Sequence, residues 1–176
     1  WVKKNARVKY ISIENWSKNT YNLNTKRALV FEDAEMQWVN GNMGAAVTML
    51  YPSSVLLGKG AKSDSLSIVL AASGQIQDTG AKAIHVASDT VSTIRSKSIS
   101  IGGGAAIYRG LIRVLPKAEN TRSAVSCDSL ILDEQSSADT YPSIKNENET
   151  ADISHEARVG RLGDEELFYI KSRGFS

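Results

Sequence analysis

The chain of 176 residues contains a single cysteine, Cys127, so it can make no internal disulfide and its fold does not depend on an oxidising compartment. No stretch approaches the roughly 18 to 20 apolar residues that span a bilayer, and no charged-then-apolar leader opens the chain. Lys and Arg form no run and are not interleaved with aromatics, which argues against nucleic acid as a partner. Glycine signatures of nucleotide binding are missing as well. Gly102–Gly104 has neither the spacing nor the following helix of a dinucleotide loop, and Gly58-Lys59-Gly60 lacks the upstream glycine of a P-loop. Prolines are few (Pro52, Pro116, Pro142), as are histidines (His85, His155).

What is present fits one globular domain with a real core: 41% apolar and 23% charged residues are ordinary for a soluble chain of this length. Charge is uneven. Residues 1–60 carry eight Lys/Arg against four Asp/Glu, 61–120 seven against four, and 121–176 six against eleven, so the last third reads as a solvated acidic face. Asn15 and Asn148 match glycosylation sequons, a three-residue pattern too common to weigh. The opening Trp1 and the stop just past a helix-like segment read as a piece of a longer protein.

Short period-two stretches recur at Val8–Ile13, Ala46–Leu50, Leu66–Ala71, Ala81–Val86, Val91–Arg95, Ser98–Ile101, Ala105–Leu115, Ala124–Leu132 and Ile153–Val159. This is an all-β pattern. Strand positions rich in Ser, Ala and Gly suit the narrow interior of a parallel β-helix better than a bulky sandwich core, although no strict repeat is visible and the sandwich stays open. Asn40-Gly41 reads as a hairpin turn, the triple glycine as relief at a tight corner, and the acid-rich stretch from Asp133 to Asp152 as loop. A capped helix is predicted from Asp164, the expected N-cap, to Gly174, where a left-handed residue ends it. His85, on an apolar face, reads as a core histidine.

Several long strings in one order carry a resemblance over nearly the whole chain. They are QDTGAK (Gln77–Lys82), SKSISIGGGAAIYRGLIRV (Ser96–Val114), SAVSCDSLILDE (Ser123–Glu134) and SHEARV (Ser154–Val159), with ENW at Glu14, TKRAL at Thr25, YPS at Tyr51 and ELFYIKSRG at Glu166. Together they resemble the core of SufB-type scaffold subunits, in the SufB/SufD family of the SUF iron-sulfur cluster assembly system. The resemblance implies a right-handed parallel β-helix over 1–163, the C-terminal portion of a longer core, with 164–176 starting a truncated helical segment. It also implies a cytoplasmic (or plastid-stromal) non-enzymatic scaffold that accepts sulfur and builds a 2Fe-2S or 4Fe-4S cluster for apo-proteins. Implied partners are sulfur donor proteins, a SufD subunit or second SufB copy paired near Cys127, and the ATPase SufC, gripped by a segment beyond Gly174. Reduced flavin is a candidate electron donor in the full complex.

Residue by residue, the match makes Cys127 the sulfur acceptor and a cluster ligand. Its thiolate is a soft ligand for iron and an acceptor for sulfane sulfur. From the residue alone, a buried structural cysteine is the alternative. Glu156 matches the co-ligand and His155 a residue that orients it or reaches across an interface, with a hydrogen-bonded core histidine as the bland reading. Alternation puts these two neighbours on opposite faces of a strand. Trp16 and Lys26 match an internal sulfur path, against an ordinary Lys26 paired with Glu32 or Glu35. Glu14 departs from the glutamine common in relatives. Two other readings stand beside this one: a polysaccharide-lyase-type β-helix with carboxylates stacked on adjacent coils, and the sister subunit SufD, which tends to carry histidine where the acceptor thiol would be.

Overall fold

Alternating small and branched residues build strands that pair only in parallel, and the chain winds into a β-solenoid of about five turns ending in a short helix. The computed structural model describes residues 1–161 and 163–174. One sheet stacks, in order, β1 (Arg7–Glu14), β4 (Glu35–Asn42), β7 (Lys62–Ala71), β10 (Val91–Ser100), β12 (Arg122–Ile131) and β14 (Asp152–Arg161). The facing sheet holds β2 (Tyr21–Asn24) and β3 (Arg27–Val30), β5 (Val47–Leu50) and β6 (Ser53–Leu56), β8 (Ile76–Thr79) and β9 (Lys82–His85), then β11 (Ala105–Val114) and β13 (Ser137–Asn146). In the first three coils the facing strand is broken in two, at Thr25-Lys26, Tyr51-Pro52 and Gly80-Ala81; from β11 onward it runs unbroken.

The register explains why no repeat is visible in the sequence. Residues Arg7, Glu35, Lys62, Val91, Arg122 and Asp152 stand in one row across the first sheet. Their spacing varies from 27 to 31 residues, because the corners differ in length while the strands stay aligned. A fixed-period search blurs this pattern. The corners use left-handed backbone where they turn most sharply: Gly102 and Gly103 have φ of 64° and 82°, and a Cβ on Gly104 would collide with the Ala71 carbonyl, so the triple glycine does sit at a tight corner.

The two sheets lie close enough that many inward positions are small: Ser63, Ser65 and Ser67 on β7, Ser92, Ser96 and Ser100 on β10, and Ser123 on β12 are all buried. Bulk concentrates in two clusters. One joins Val30, Met36, Trp38 and Leu56 in the early coils, and the other joins Ile94, Tyr108, Ile112, Val114, Val125 and Cys127 in the later ones. Each fully buried leucine or isoleucine there contributes roughly 1.5–3 kcal/mol. His85 is a core histidine: Nδ1 pairs with Thr90 Oγ1 at 2.8 Å and Nε2 with Ser92 Oγ at 3.0 Å, and burial pushes its pKa down to about 4.

Four expectations are corrected. Asn40-Gly41 makes no hairpin; both lie inside β4, held in parallel register with β1 and β7, so pairing on both sides overrides the local turn preference. The stretch from Asp133 to Asp152 is not all loop, since β13 occupies Ser137–Asn146, with Pro142 tolerated on a strand paired on one side only. Val91–Arg95 and Ser98–Ile101 are one strand, β10. Gly163 rather than Asp164 is the N-cap of α1 (Asp164–Ser172), and its N–H donates to Glu166 Oε2 at 3.0 Å. Gly174, at φ 88°, follows the helix in left-handed backbone as expected.

Candidate functional site

Alternation along β12 points Ser123, Val125 and Cys127 into the solenoid and Arg122, Ala124 and Ser126 away from it. Cys127 is 2% exposed and packs in the later apolar cluster with Tyr108 and Val125. Burial raises the thiol to about 11, the Tyr108 hydroxyl pulls it back down, and Asp128 adds a smaller upward push. At neutral pH the group is a protonated thiol.

The next strand separates the two acidic and imidazole candidates. His155 stands beside Val125 and shares the inward face of Cys127, and its Nε2 is buried without a hydrogen-bond partner. Glu156 stands beside Ser126 on the outer face, exposed, and accepts a bond from Arg158 at 2.5 Å. The structure therefore brings Cys127 and His155 into one compartment and puts Glu156 outside it. Among the described residues β14 pairs with β12 alone, so both residues belong to a strand paired on one side.

At the other end of the interior, Trp16 and Lys26 meet on one carboxylate. Lys26 Nζ lies 2.9 Å from Glu14 Oε1 and donates at 2.9 Å to Ser12 Oγ, while Trp16 Nε1 donates to Glu14 Oε2 at 2.9 Å. The Lys26 and Glu14 side chains are only 9% and 10% exposed, and the ammonium also lies 5.1 Å from the Tyr10 ring centre. Lys26 is thus no surface ion pair: Glu32 and Glu35 are taken by Lys4 and Arg7. Burial works to raise the Glu14 carboxyl, but Lys26, Trp16 and Ser12 outweigh it and hold it below the usual carboxylate range.

Register connects the two ends. Ser12, Asn40, Ser67, Ser96 and Cys127 occupy one row of direct neighbours across five strands, and all point inward. Asn40, Ser67 and Ser96 are buried, and Ser12 donates to Asn40 Oδ1 at 3.0 Å. Four strand steps at about 4.8 Å set Ser12 about 19 Å from Cys127. In the first three coils the buried amides Asn22, Asn42 and Gln77 each have at least one atom without a hydrogen-bond partner. Sequence reasoning reached Cys127, Trp16 and Lys26 but missed Asn40, Ser67, Ser96 and Tyr108. Their alternation marks them as inward, yet nothing local says that they are neighbours.

Among the described residues no group of three or more His, Cys, Asp and Glu side chains converges as a metal site. Stacked acids of the lyase kind are not open either: Asp64, Asp78 and Asp128 are each paired with a cation of the adjacent coil, Arg95, Arg109 and Lys97. Among the described residues no helix is long and apolar enough to cross a membrane.

Comparison with known proteins meets this geometry from outside. The family model described as SUF system FeS cluster assembly, SufBD core domain, matches residues 1–176. An iron-sulfur cluster assembly SufBD family protein of Staphylococcus saprophyticus is 51% identical over 175 residues, 99% of this chain and 38% of that protein. A protein of Staphylococcus aureus with the same family name matches at the same identity and coverage. The chain thus spans well under half the length of these curated relatives. An all-parallel solenoid, a buried thiol at the end of an inward polar row, and a match over every residue lead to one conclusion: the chain belongs to the SufBD core-domain family of the SUF iron-sulfur cluster assembly system.

Proposed function

We propose that the chain is the sulfur-accepting part of a SufB-type scaffold, with Cys127 as acceptor and as a ligand of the nascent cluster. The observation that carries this reading is the inward row from Ser12, which holds the Lys26 ammonium, through Asn40, Ser67 and Ser96 to Cys127. It supports an internal path along which a small persulfide anion, the sulfur donor, enters at the Trp16–Glu14–Lys26 cluster and reaches the thiol through polar contacts. At Cys127 the deprotonated sulfur attacks the terminal sulfur of a donor persulfide. A new S–S bond forms as the donor's S–S bond breaks, and the donor thiol leaves with the proton, so no external oxidant or reductant is needed.

One thiol cannot hold a cluster that ordinarily takes four ligands, so others must join it. His155 shares the thiol's compartment. Glu156, on the outer face of a strand paired on one side among the described residues, suits a ligand role only where β14 meets another subunit. That subunit is SufD or a second copy of the chain, with SufC engaged by a segment beyond Gly174 and reduced flavin as a candidate electron source. The thiol itself favours SufB over SufD. The test is anaerobic cluster assembly by the full-length protein with its partners. Cys127→Ala should abolish assembly while leaving the fold intact, and Glu156→Ala should impair it more than His155→Ala. Equal cluster yield from wild type and Cys127→Ala overturns the reading.

A further inference from the structure

One cavity shares no residue with the row from Ser12 to Cys127 or with the Trp16–Glu14–Lys26 cluster. It opens on the outer side of the facing sheet, where Gly80-Ala81 separates β8 from β9, and has a volume of about 320 Å³. Its walls are Met49, Tyr51, Asp78, Lys82, Arg109 and Leu111. Register builds it. Met49 and Asp78 are direct neighbours on β5 and β8, as are Lys82 and Leu111 on β9 and β11, so one such pair stands on either side of the break.

Charge in this cavity is fixed in place but unbalanced. Asp78, only 7% exposed, accepts from Arg109 Nε at 3.1 Å through Oδ1 and at 2.8 Å through Oδ2. The guanidinium also lies 4.6 Å from the Tyr141 ring centre, so an ion pair and a ring together hold its position. Burial and then Asp78 push the Tyr51 hydroxyl up to about 12, which keeps that phenol neutral. Lys82 is the uncompensated group. Its ammonium lies 5.1 Å from the Tyr51 ring centre, and among the described residues it forms no ion pair. Asp78 thus cancels one of two cations, and the cavity keeps one positive charge beside the apolar side chains of Met49 and Leu111.

We propose that this cavity is a binding site for a small organic monocarboxylate. The carboxylate sits between the Lys82 ammonium and the terminal nitrogens of Arg109, which the Asp78 bond through Nε leaves to a ligand, and the apolar body covers Met49 and Leu111. Charge sets the valence: one remaining positive charge matches a monoanion, whereas a dianion leaves one negative charge unmatched beside Asp78. Volume sets the size, since 320 Å³ holds about ten non-hydrogen atoms at about 30 Å³ each. The site goes beyond the sulfur-accepting role and stands whether or not Cys127 is the acceptor.

The experiment titrates the full-length protein with phenylacetate, a monocarboxylate of that size, and follows binding by saturation-transfer NMR of the ligand. Saturable binding with a dissociation constant on the order of 1 mM is expected for so small a ligand. Phenylacetamide keeps the shape and loses the charge, and should bind the same wild-type protein about tenfold more weakly. Lys82→Met keeps the stem and removes the ammonium, and should weaken phenylacetate about tenfold with an unchanged circular dichroism spectrum. Phenyl phosphate should bind no tighter than phenylacetate. Failure of phenylacetate to saturate by about 20 mM, equal affinity for phenylacetamide, or a wild-type constant in Lys82→Met each overturns the site. Because the phenylacetamide comparison uses the unmodified protein, it decides the matter even where the variant misfolds. Phenyl phosphate binding roughly tenfold tighter than phenylacetate overturns the assignment to a monoanion.

Discussion

The two ends of the solenoid interior solve opposite problems. At the first coil an ammonium and a carboxylate, Lys26 and Glu14, are held together with the indole of Trp16, and the buried amides Asn22, Asn42 and Gln77 of the first three coils keep unpartnered atoms. At the later coils the walls are mainly apolar, built from Ile94, Ile112, Val114 and Val125; the Ser96 and Ser123 hydroxyls and the Cys127 thiol lie among them, and the Tyr108 hydroxyl and one nitrogen of His155 have no hydrogen-bond partner. The first environment stabilises charge that is always present. The second disfavours charge, with burial pushing the Cys127 thiol up to about 11. On the proposed path, a persulfide anion moving from the first to the second would leave a place that solvates it for one with few donors.

This contrast can be broken most forcefully at the charged end. Lys26→Met leaves Glu14 buried without its cation and should cost about 3–5 kcal/mol, whereas Lys26→Met with Glu14→Gln should recover most of that loss. Urea denaturation of the three proteins measures it; a double variant as unstable as the single one would show that the pair is not the source of the cost. Cys127→Ala, by contrast, should change stability far less while removing function.

The next effect is read by pH, and its window separates His85 from Glu14. The His85 pKa is lowered by burial from 6.5 to about 4 in the fold. Its contribution is complete above about pH 6.5 and is lost as pH falls toward about 4, amounting to about 3 kcal/mol. Glu14, whose pKa is held below its ordinary 4.5, contributes above that value and loses its contribution only at lower pH. His85→Asn should therefore flatten the stability profile between pH 6.5 and 4, and an equally steep profile in the variant would dismiss the histidine as its cause.

A smaller effect probes the row that joins the ends. Ser96→Ala removes the hydroxyl beside Cys127 and should slow sulfur loading of the full-length protein about tenfold, or about 1.4 kcal/mol of barrier, with little change in fold. Ser98→Ala, in the neighbouring row beside Ser129, serves as the control. Equal loading in both variants would deny the row its role. Smallest is Trp16→Phe, which removes one hydrogen bond to the Glu14 carboxylate at a half-exposed position where water replaces the indole, and should cost about 0.5–1 kcal/mol. Thermal unfolding reads it, and an unshifted midpoint would place the indole outside the network.

Much of this arrangement was legible before any coordinates. Period-two alternation is a local property, set by the pleat itself, so it assigned Cys127, Val125 and Ser129 to one face and separated His155 from Glu156. The abundance of Ser and Ala at strand positions pointed to closely spaced sheets, and the long matching strings to the SufB/SufD family. Local turn chemistry misled where pairing was strong on both sides, as at Asn40-Gly41, and acidic composition hid β13. What only the tertiary structure decided is register. Which inward serine neighbours which thiol depends on corners of unequal length, so residues 27 to 31 positions apart come into contact with no sign of it in the chain. The Trp16–Glu14–Lys26 cluster, the row from Ser12 to Cys127 and the packing of Tyr108 and that thiol in one apolar cluster are all non-local. They exist because coils stack at a fixed spacing while the sequence between them varies.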